Sequence, residues 1–296
     1  MSGATHESVS VVPAPPQFQG WLVCAIWRRL PLSGDVASVV PANVYACLNV
    51  VSDGAIRVPG ADPLPLQPMF LAGPFTVPMR TLASTPLRSL SLVIQPWLLE
   101  PWFGHAASAL VDSIASAASA PVLAGETVEL LQAGVDEPRL VLRALALMAD
   151  ALPAAPPAGV IDMQHALLRR GSVSGAAAAF GWSERHFARR FRCHHGLSPR
   201  TWLRVKRFER ALLRLTGAGT PLAHVAADAG YADQAHMTRD FRRILGESPA
   251  GTRQALEFDS GGSWALEPSR DERLRRRLGG PTDAPASLRA KKPAGR

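Results

Sequence analysis

At 296 residues, with 47% hydrophobic and 19% charged side chains, the chain has the composition of a globular protein with room for two domains. Its net charge is +8 with a pI near 10.4, and no apolar run reaches the roughly 18 residues that a membrane span needs. Cys24, Cys47 and Cys193 lack both metal-ligand spacing and the numbers for a disulfide framework. The start of the chain lacks the basic-then-apolar order of a signal peptide, so the expected setting is the cytoplasm, with no membrane partner.

The charge is unevenly spread. Residues 1–156 carry 7 basic and 11 acidic side chains, residues 157–258 carry 16 and 8, and the tail from Asp259 carries 9 and 5. A mildly acidic first half beside a basic remainder suggests that one part meets a polyanion. A solvated basic surface would give the same totals, so charge alone leaves both readings open. Lys206, Lys291 and Lys292 are the only lysines. Arginine suits phosphates and guanine edges, although a GC-rich genome would enrich it as well.

Residues 1–18 are polar and proline-containing, and are expected to form a flexible arm. Residues 19–152 are expected to form a β-rich, barrel-like or cupin-like domain ending in helices. WLVCAIW, VASVV, VYACLNVV and LRSLSLVI read as strands punctuated by Gly and Pro, as at Ser52-Asp53-Gly54 and Gly73-Pro74. After Pro96 the segments Trp97–Gly104, Ala106–Ala118 and Glu126–Leu152 read as helices. Residues 153–159 form a proline-rich linker that denies any continuing helix. Residues 160–257 read as an all-α domain, which makes the fold class α+β, and residues 258–296 as a disordered basic tail.

The all-α domain contains an internal repeat. SERHFARRFRCHHGLSP (Ser183–Pro199) returns fifty residues later as DQAHMTRDFRRILGESP (Asp233–Pro249), with His186, Arg189, Phe191, Arg192, Gly196, Ser198 and Pro199 matched by identical residues. Each copy has a short helix of small residues, Ser174–Phe180 or Leu222–Ala229, broken by Gly181 or Gly230. Ser183 or Asp233 then serves as N-cap of a second helix. That helix buries Phe187 and Phe191, or Met237, Phe241 and Ile244, at spacings of three and four. Gly196 or Gly246 ends it, and Ser-Pro opens the next helix. This is the form of a helix-turn-helix, whose second helix enters a major groove.

Between the copies, Pro199–Leu215 reads as one helix about 25 Å long at 1.5 Å per residue. Trp202, Val205, Phe208, Leu212 and Leu215 form its apolar stripe, and Arg200, Arg204, Arg207 and Arg214 its basic one. Such a rod would hold two recognition helices about one DNA turn apart. Thr220-Pro221 is expected to cap the first helix of the second unit.

Gly230–Pro249, with Ser183–Pro199 before it, resembles the DNA-binding domain of the AraC/XylS family of bacterial transcription regulators. The order VVPANVYACLNV, FLAGPF and LVIQPWLLEPWFG is similar to the β-rich sensor or dimerisation domains that precede this module in some members. The resemblance implies a sequence-specific DNA-binding regulator whose partner is double-stranded DNA, with RNA polymerase added if it activates. A small-molecule effector and a homodimer formed through the N-terminal domain fit the same picture. Arg189 and Arg239 are the leading base-contacting candidates, followed by Arg185, Gln234, Ala235, His236 and Thr238. Arg190, Arg192, Arg242 and Arg243 are candidates for phosphate contact. Two departures stand out. Thr252 replaces the aromatic that Trp202 supplies after the first Ser-Pro, so the final helix is expected to be short. His194 and His195 stand where the second copy has Ile244 and Leu245, so the first recognition helix is expected to be less buried at its end.

Other readings compete. Cys193-His194-His195 cannot share one helix face, so no metal site is expected there. A cupin enzyme needs two or three histidines and a carboxylate, whereas residues 1–156 hold only His6 and His105. No nucleophile elbow, phosphate loop or dinucleotide fingerprint occurs, so neither catalysis nor a cofactor is expected. A sequence-indifferent architectural DNA binder is the main alternative; it predicts phosphate contacts with a steep salt dependence. Trp21, Trp27, Phe70 and Phe75 are expected to fill the N-terminal core rather than line a pocket.

Overall fold

The computed structural model describes residues 8–30, 35–58, 69–117, 152–215 and 219–258. The readings of residues 258–296 as a tail and of Glu126–Leu152 as helix lie almost wholly outside the described residues.

Seven strands form an antiparallel sheet in the order β1-β2-β6-β4-β5-β7, with β3 also on β6. They are β1 (Ser8–Pro13), β2 (Leu22–Leu30), β3 (Asp35–Val40), β4 (Ala46–Arg57), β5 (Met69–Ala72), β6 (Met79–Ile94) and β7 (Ile114–Ser116). β6 is long enough to take β3 along its first half and β2 along its second, with β4 on its other edge. Gly54 (φ 77°) stands where the β4–β6 register shifts. A Cβ there would lie 2.4 Å from the Ser84 carbonyl oxygen, so only glycine allows the ladder to close.

The period-two alternation of these strands sorts their side chains onto two faces. Leu48, Val50, Leu71, Leu90, Leu92 and Ile94 join Leu22 and Trp27 in the main apolar core. Their neighbours Arg28, Cys47, Asn49, Ser89, Ser91 and Val93 line a cavity on the other face. Trp21 and Trp27 fill the core as expected, but Phe70 and Phe75 also line that cavity. The three cysteines are thiols.

Two expectations fail here. Residues 8–13, assigned by composition to a loose arm, form β1 and pair with β2 from Ser8↔Arg29 to Pro13↔Cys24. The described part of the Ala106–Ala118 segment is not a helix. It makes a 3-10 turn at Ala107–Ala109 and then β7, which pairs with β5. Asp112 between them has φ 55° and accepts hydrogen bonds from the Thr76 backbone N–H and hydroxyl, both at 2.6 Å, a conformation that stops a helix. The Trp97–Gly104 reading holds: a 3-10 turn at Pro96–Leu98 leads into α1 (Leu99–Phe103), ended by left-handed Gly104.

Among the described residues seven further helices follow: α2 (Val160–Arg170), α3 (Val173–Ala179), α4 (Glu184–His195), α5 (Pro199–Leu215), α6 (Leu222–Ala229), α7 (Gln234–Leu245) and α8 (Pro249–Phe258). The main core does not stop at the proline-rich linker. It continues from the sheet through Trp97, Leu98, Leu99, Ala107 and Leu110 into Phe191, Trp202 and Phe208 of the helical part. The linker itself lies over this junction, where Pro153, Ala155 and Pro157 share a depression with Trp21, Trp97 and His194.

Two polar contacts, Ala42 with Ile244 and Lys206 with Tyr45, fasten the two parts. The Ala42 N–H donates to the Ile244 carbonyl at 2.9 Å. Lys206 Nζ donates to Tyr45 Oη at 2.8 Å and to Glu209 Oε2 at 2.7 Å. Burial works against the Lys206 charge, but Glu209 and Tyr45 together outweigh it and raise its pKa above the ordinary lysine value. Among the described residues, no helix is long and apolar enough to cross a membrane.

Candidate nucleic-acid interface

Each half of the helical part is built from the same local chemistry. The Ser183 hydroxyl accepts from the His186 N–H at 3.2 Å, and the Asp233 carboxylate accepts from the His236 N–H at 2.6 Å, capping α4 and α7. Gly181 (φ 65°) and Gly230 (φ 85°) make the turns before them. Ser198 and Ser248 accept from the Thr201 and Gly251 N–H groups, opening α5 and α8 with proline in first position. The expected cap at Thr220-Pro221 is different: Pro221 occupies the N-cap position with no side-chain bond, and the Thr220 carbonyl instead accepts from Arg253 at 2.7 Å.

Phe187, Phe191, Met237, Phe241 and Ile244 are fully buried, as their spacing predicts. Both departures in the repeat resolve differently from expectation. Thr252 is buried and its hydroxyl donates to the Ser248 carbonyl at 2.8 Å; α8 still runs ten residues. His195 is wholly buried, its ring centroid 4.0 Å from Phe191, 5.4 Å from Trp97 and 6.4 Å from Trp202. The end of α4 is therefore closed by an aromatic from the N-terminal part. Gly196 (φ 73°) admits that part: a Cβ would stand 2.5 Å from the Ala107 carbonyl oxygen. Burial, helped by neighbouring His194, holds the His195 pKa down at about 3, so the ring is neutral.

On α4, Arg185, Arg189, Arg190 and Arg192 are exposed, and Ala188 is half-buried. On α7, Gln234, Ala235, Arg239, Arg242 and Arg243 are exposed. Arg189 and Arg239 hold matching places on the two helices, and the Arg189 guanidinium reaches His186 Nδ1 at 3.3 Å. Two base-contacting candidates are engaged within the protein. The Thr238 hydroxyl donates to the Gln234 carbonyl at 2.9 Å. His236 is half-buried, edge-on to Tyr231 at 5.1 Å and 3.8 Å from Asp240, and stands one turn before Arg239 on the same helix.

Sequence reasoning passed over Asp240, the counterpart of Arg190 in the repeat. It is largely buried, with Arg204 of α5 3.9 Å away. Burial raises its carboxyl pKa, and Arg204 and His236 oppose that. An acid flanked by Arg239 and Phe241 is the signal that could have marked it. It also passed over the Lys206–Glu209 pair, although a carboxylate between Phe208 and Ala211 on a core-facing stripe is the kind of residue that needs a partner.

The two recognition helices share one side of α5. Glu184, the first residue of α4, lies 3.9 Å from Arg200, and Asp240 of α7 lies 3.9 Å from Arg204, one turn further along the same stripe. Two capped helices flanking a seventeen-residue rod, each with exposed arginines, make this a double helix-turn-helix domain.

The family model and the curated relatives agree with that class. Residues 176–255 match the family model described as a helix-turn-helix domain, and this C-terminal region is of the AraC/XylS type. The chain is similar to the HTH-type transcriptional regulator ExsA of Pseudomonas aeruginosa, 28% identical over 95 residues, 32% of this chain and 34% of that protein. It is also similar to the HTH-type transcriptional activator RhaS of Escherichia fergusonii, 35% identical over 86 residues, 29% of this chain and 31% of that one. Among solved structures, the DNA-binding domain of AdpA, a global transcriptional factor in complex with a target DNA, is 29% identical and covers 34% of this chain and 97% of its own, with a TM-score of 0.32. The chain thus spans about a third of the length of the curated relatives it matches.

Proposed function

We propose that the protein is a sequence-specific DNA-binding transcription regulator that inserts α4 and α7 into successive major grooves on one face of the duplex. The observation that carries this reading is the shared side of α5, where Arg200 meets the first turn of α4 and Arg204 meets α7. Arg189 and Arg239 are the principal base readers, with Arg185, Gln234 and Ala235 beside them. Thr238 contributes its methyl group, because its hydroxyl proton is committed to the helix backbone. His236, one turn before Arg239, is a further candidate reader. Arg190, Arg192, Arg242 and Arg243 hold phosphates. Double-stranded DNA is the partner, joined by RNA polymerase if the protein activates.

Residues 160–257 are the DNA-binding unit of this reading, and the sheet domain modulates it. The cavity of about 150 Å3 on the polar-apolar face of the sheet supports that role, because Phe208, Glu209 and Leu212 of α5 close it. A small molecule bound there would touch the rod that spaces the two recognition helices.

Selection of bound sites from random DNA by the full chain tests the reading. It should return two half-sites about 10 base pairs apart. Arg239→Ala should then cost roughly 1–3 kcal/mol of binding at one base pair and relax specificity there. Recovery of no preferred sequence, with equal affinity for all duplexes, would instead mark an architectural binder.

A further inference from the structure

The cleft between the two helix-turn-helix units has a floor that base reading leaves unused. Arg200, Leu203, Arg204 and Arg207 of α5 line it, with Ser172 and Ser174 near the start of α3 on one side and His236 and Asp240 of α7 on the other. Positions 200, 204 and 207 are separated by four and three residues, so the three guanidinium groups form one row along the helix. Glu184 lines the same cleft. The leading turns of both recognition helices therefore flank it, and these are the turns that enter the grooves. The minor groove that divides one major groove from the next, with a phosphate backbone on each side, would face this row.

The row is partly pre-arranged. Asp240 holds Arg204 at 3.9 Å, and the Tyr231 ring carries the Arg207 guanidinium 5.4 Å from its centroid. Arg200 is 81% exposed and its partner Glu184 51% exposed, so that pair is weak and easily exchanged for a phosphate. Each guanidinium has five N–H donors, more than these contacts use. The repeat points the same way. The first unit has Arg190 where the second has Asp240, so the second unit carries an acid in place of a cation, and that acid fixes an arginine of the rod.

We propose that Arg200, Arg204 and Arg207 form a phosphate-binding row that grips the DNA backbone between the two major grooves without reading sequence. This rests on the DNA-binding reading above and adds a third point of attachment to it.

The test measures binding of the full chain to its selected duplex and to a scrambled duplex across a salt series. Arg200→Ala with Arg207→Ala should weaken both duplexes by the same factor, about tenfold or more, and lower the salt slope by about 1.8, since each phosphate contact contributes roughly 0.9. Lysine at both positions should restore most of the slope, because the phosphate contact needs charge. If Arg207→Ala fails to fold through loss of its Tyr231 contact, the exposed Arg200→Ala alone should lower the slope by about 0.9. Unchanged affinity and slope in variants of a chain that still binds DNA would overturn the row and leave the regulator reading intact. A loss confined to the selected duplex would also overturn it, by making these residues base readers. A wild-type chain that binds neither duplex would remove both.

Discussion

At the end of α4, His195 packs among Phe191, Trp202 and Trp97, the last of these contributed by the sheet domain. At the matching position of α7 stands Leu245, and the neighbouring Ile244 meets the sheet domain through a backbone hydrogen bond to Ala42. The two units share a side-chain N-cap, a turn glycine and the phenylalanine at Phe191 and Phe241, yet the first borrows part of its core from outside the repeat. A repeated sequence therefore specifies two copies of a local fold without making them equally self-sufficient. The unit whose core is borrowed is the one the N-terminal part is best placed to influence.

Three substitutions break or sharpen this contrast. The largest effect is expected from Trp97→Ala, which should cost about 3–5 kcal/mol. Hydrogen exchange should show the lost protection concentrated in α2 to α4 and spare α6 to α8. Equal loss in both units would mean that the sheet domain supports them alike. Glu209→Ala comes next, at about 3 kcal/mol, because it removes the carboxylate that neutralises the largely buried Lys206 ammonium. Replacing the pair together, Lys206→Met with Glu209→Leu, should recover most of that in denaturant unfolding; no recovery would show that the ion pair does more than neutralise itself.

The smallest effect is expected from His195→Leu, which copies the second unit. In the folded chain the His195 pKa is held down to about 3, against an ordinary value of 6.5. The unfolded chain therefore binds a proton that the folded chain refuses, and stability is full above pH 6.5 and drains away as pH falls towards 3. The leucine variant should lack this component, gaining on the order of 2 kcal/mol relative to wild type on moving from pH 7 to pH 5. Parallel stability curves for the two proteins would show that the histidine takes up protons in place, and that the junction loosens with it.

Much of the helical domain was legible because its signals are local. Capping by Ser183 and Asp233, breaking by Gly181 and Gly230, and restarting at Ser198-Pro199 each involve atoms within four residues of one another. The extent of α5, from Pro199 to Leu215, followed from the same kind of evidence. The misread segments had partners far away in sequence. β1 looks like a loose arm until β2 is beside it, and residues 106–118 suggest a helix until β5 and the Thr76–Asp112 contact claim them. The exposure of Arg189 and Arg239 could be read from helical periodicity, whereas the burial of Asp240 against Arg204 depends on where α5 lies.

By itself, then, the sequence determined two capped helix-turn-helix units, the rod between them and the arginines they display, since each depends on short-range backbone chemistry. Only the tertiary structure decided that the sheet domain shares a core with the first unit, that Lys206 and Glu209 are buried against Tyr45, and that α5 closes a cavity. Those contacts join residues far apart in the sequence, and no periodicity along a chain encodes which distant surface will exclude water from which.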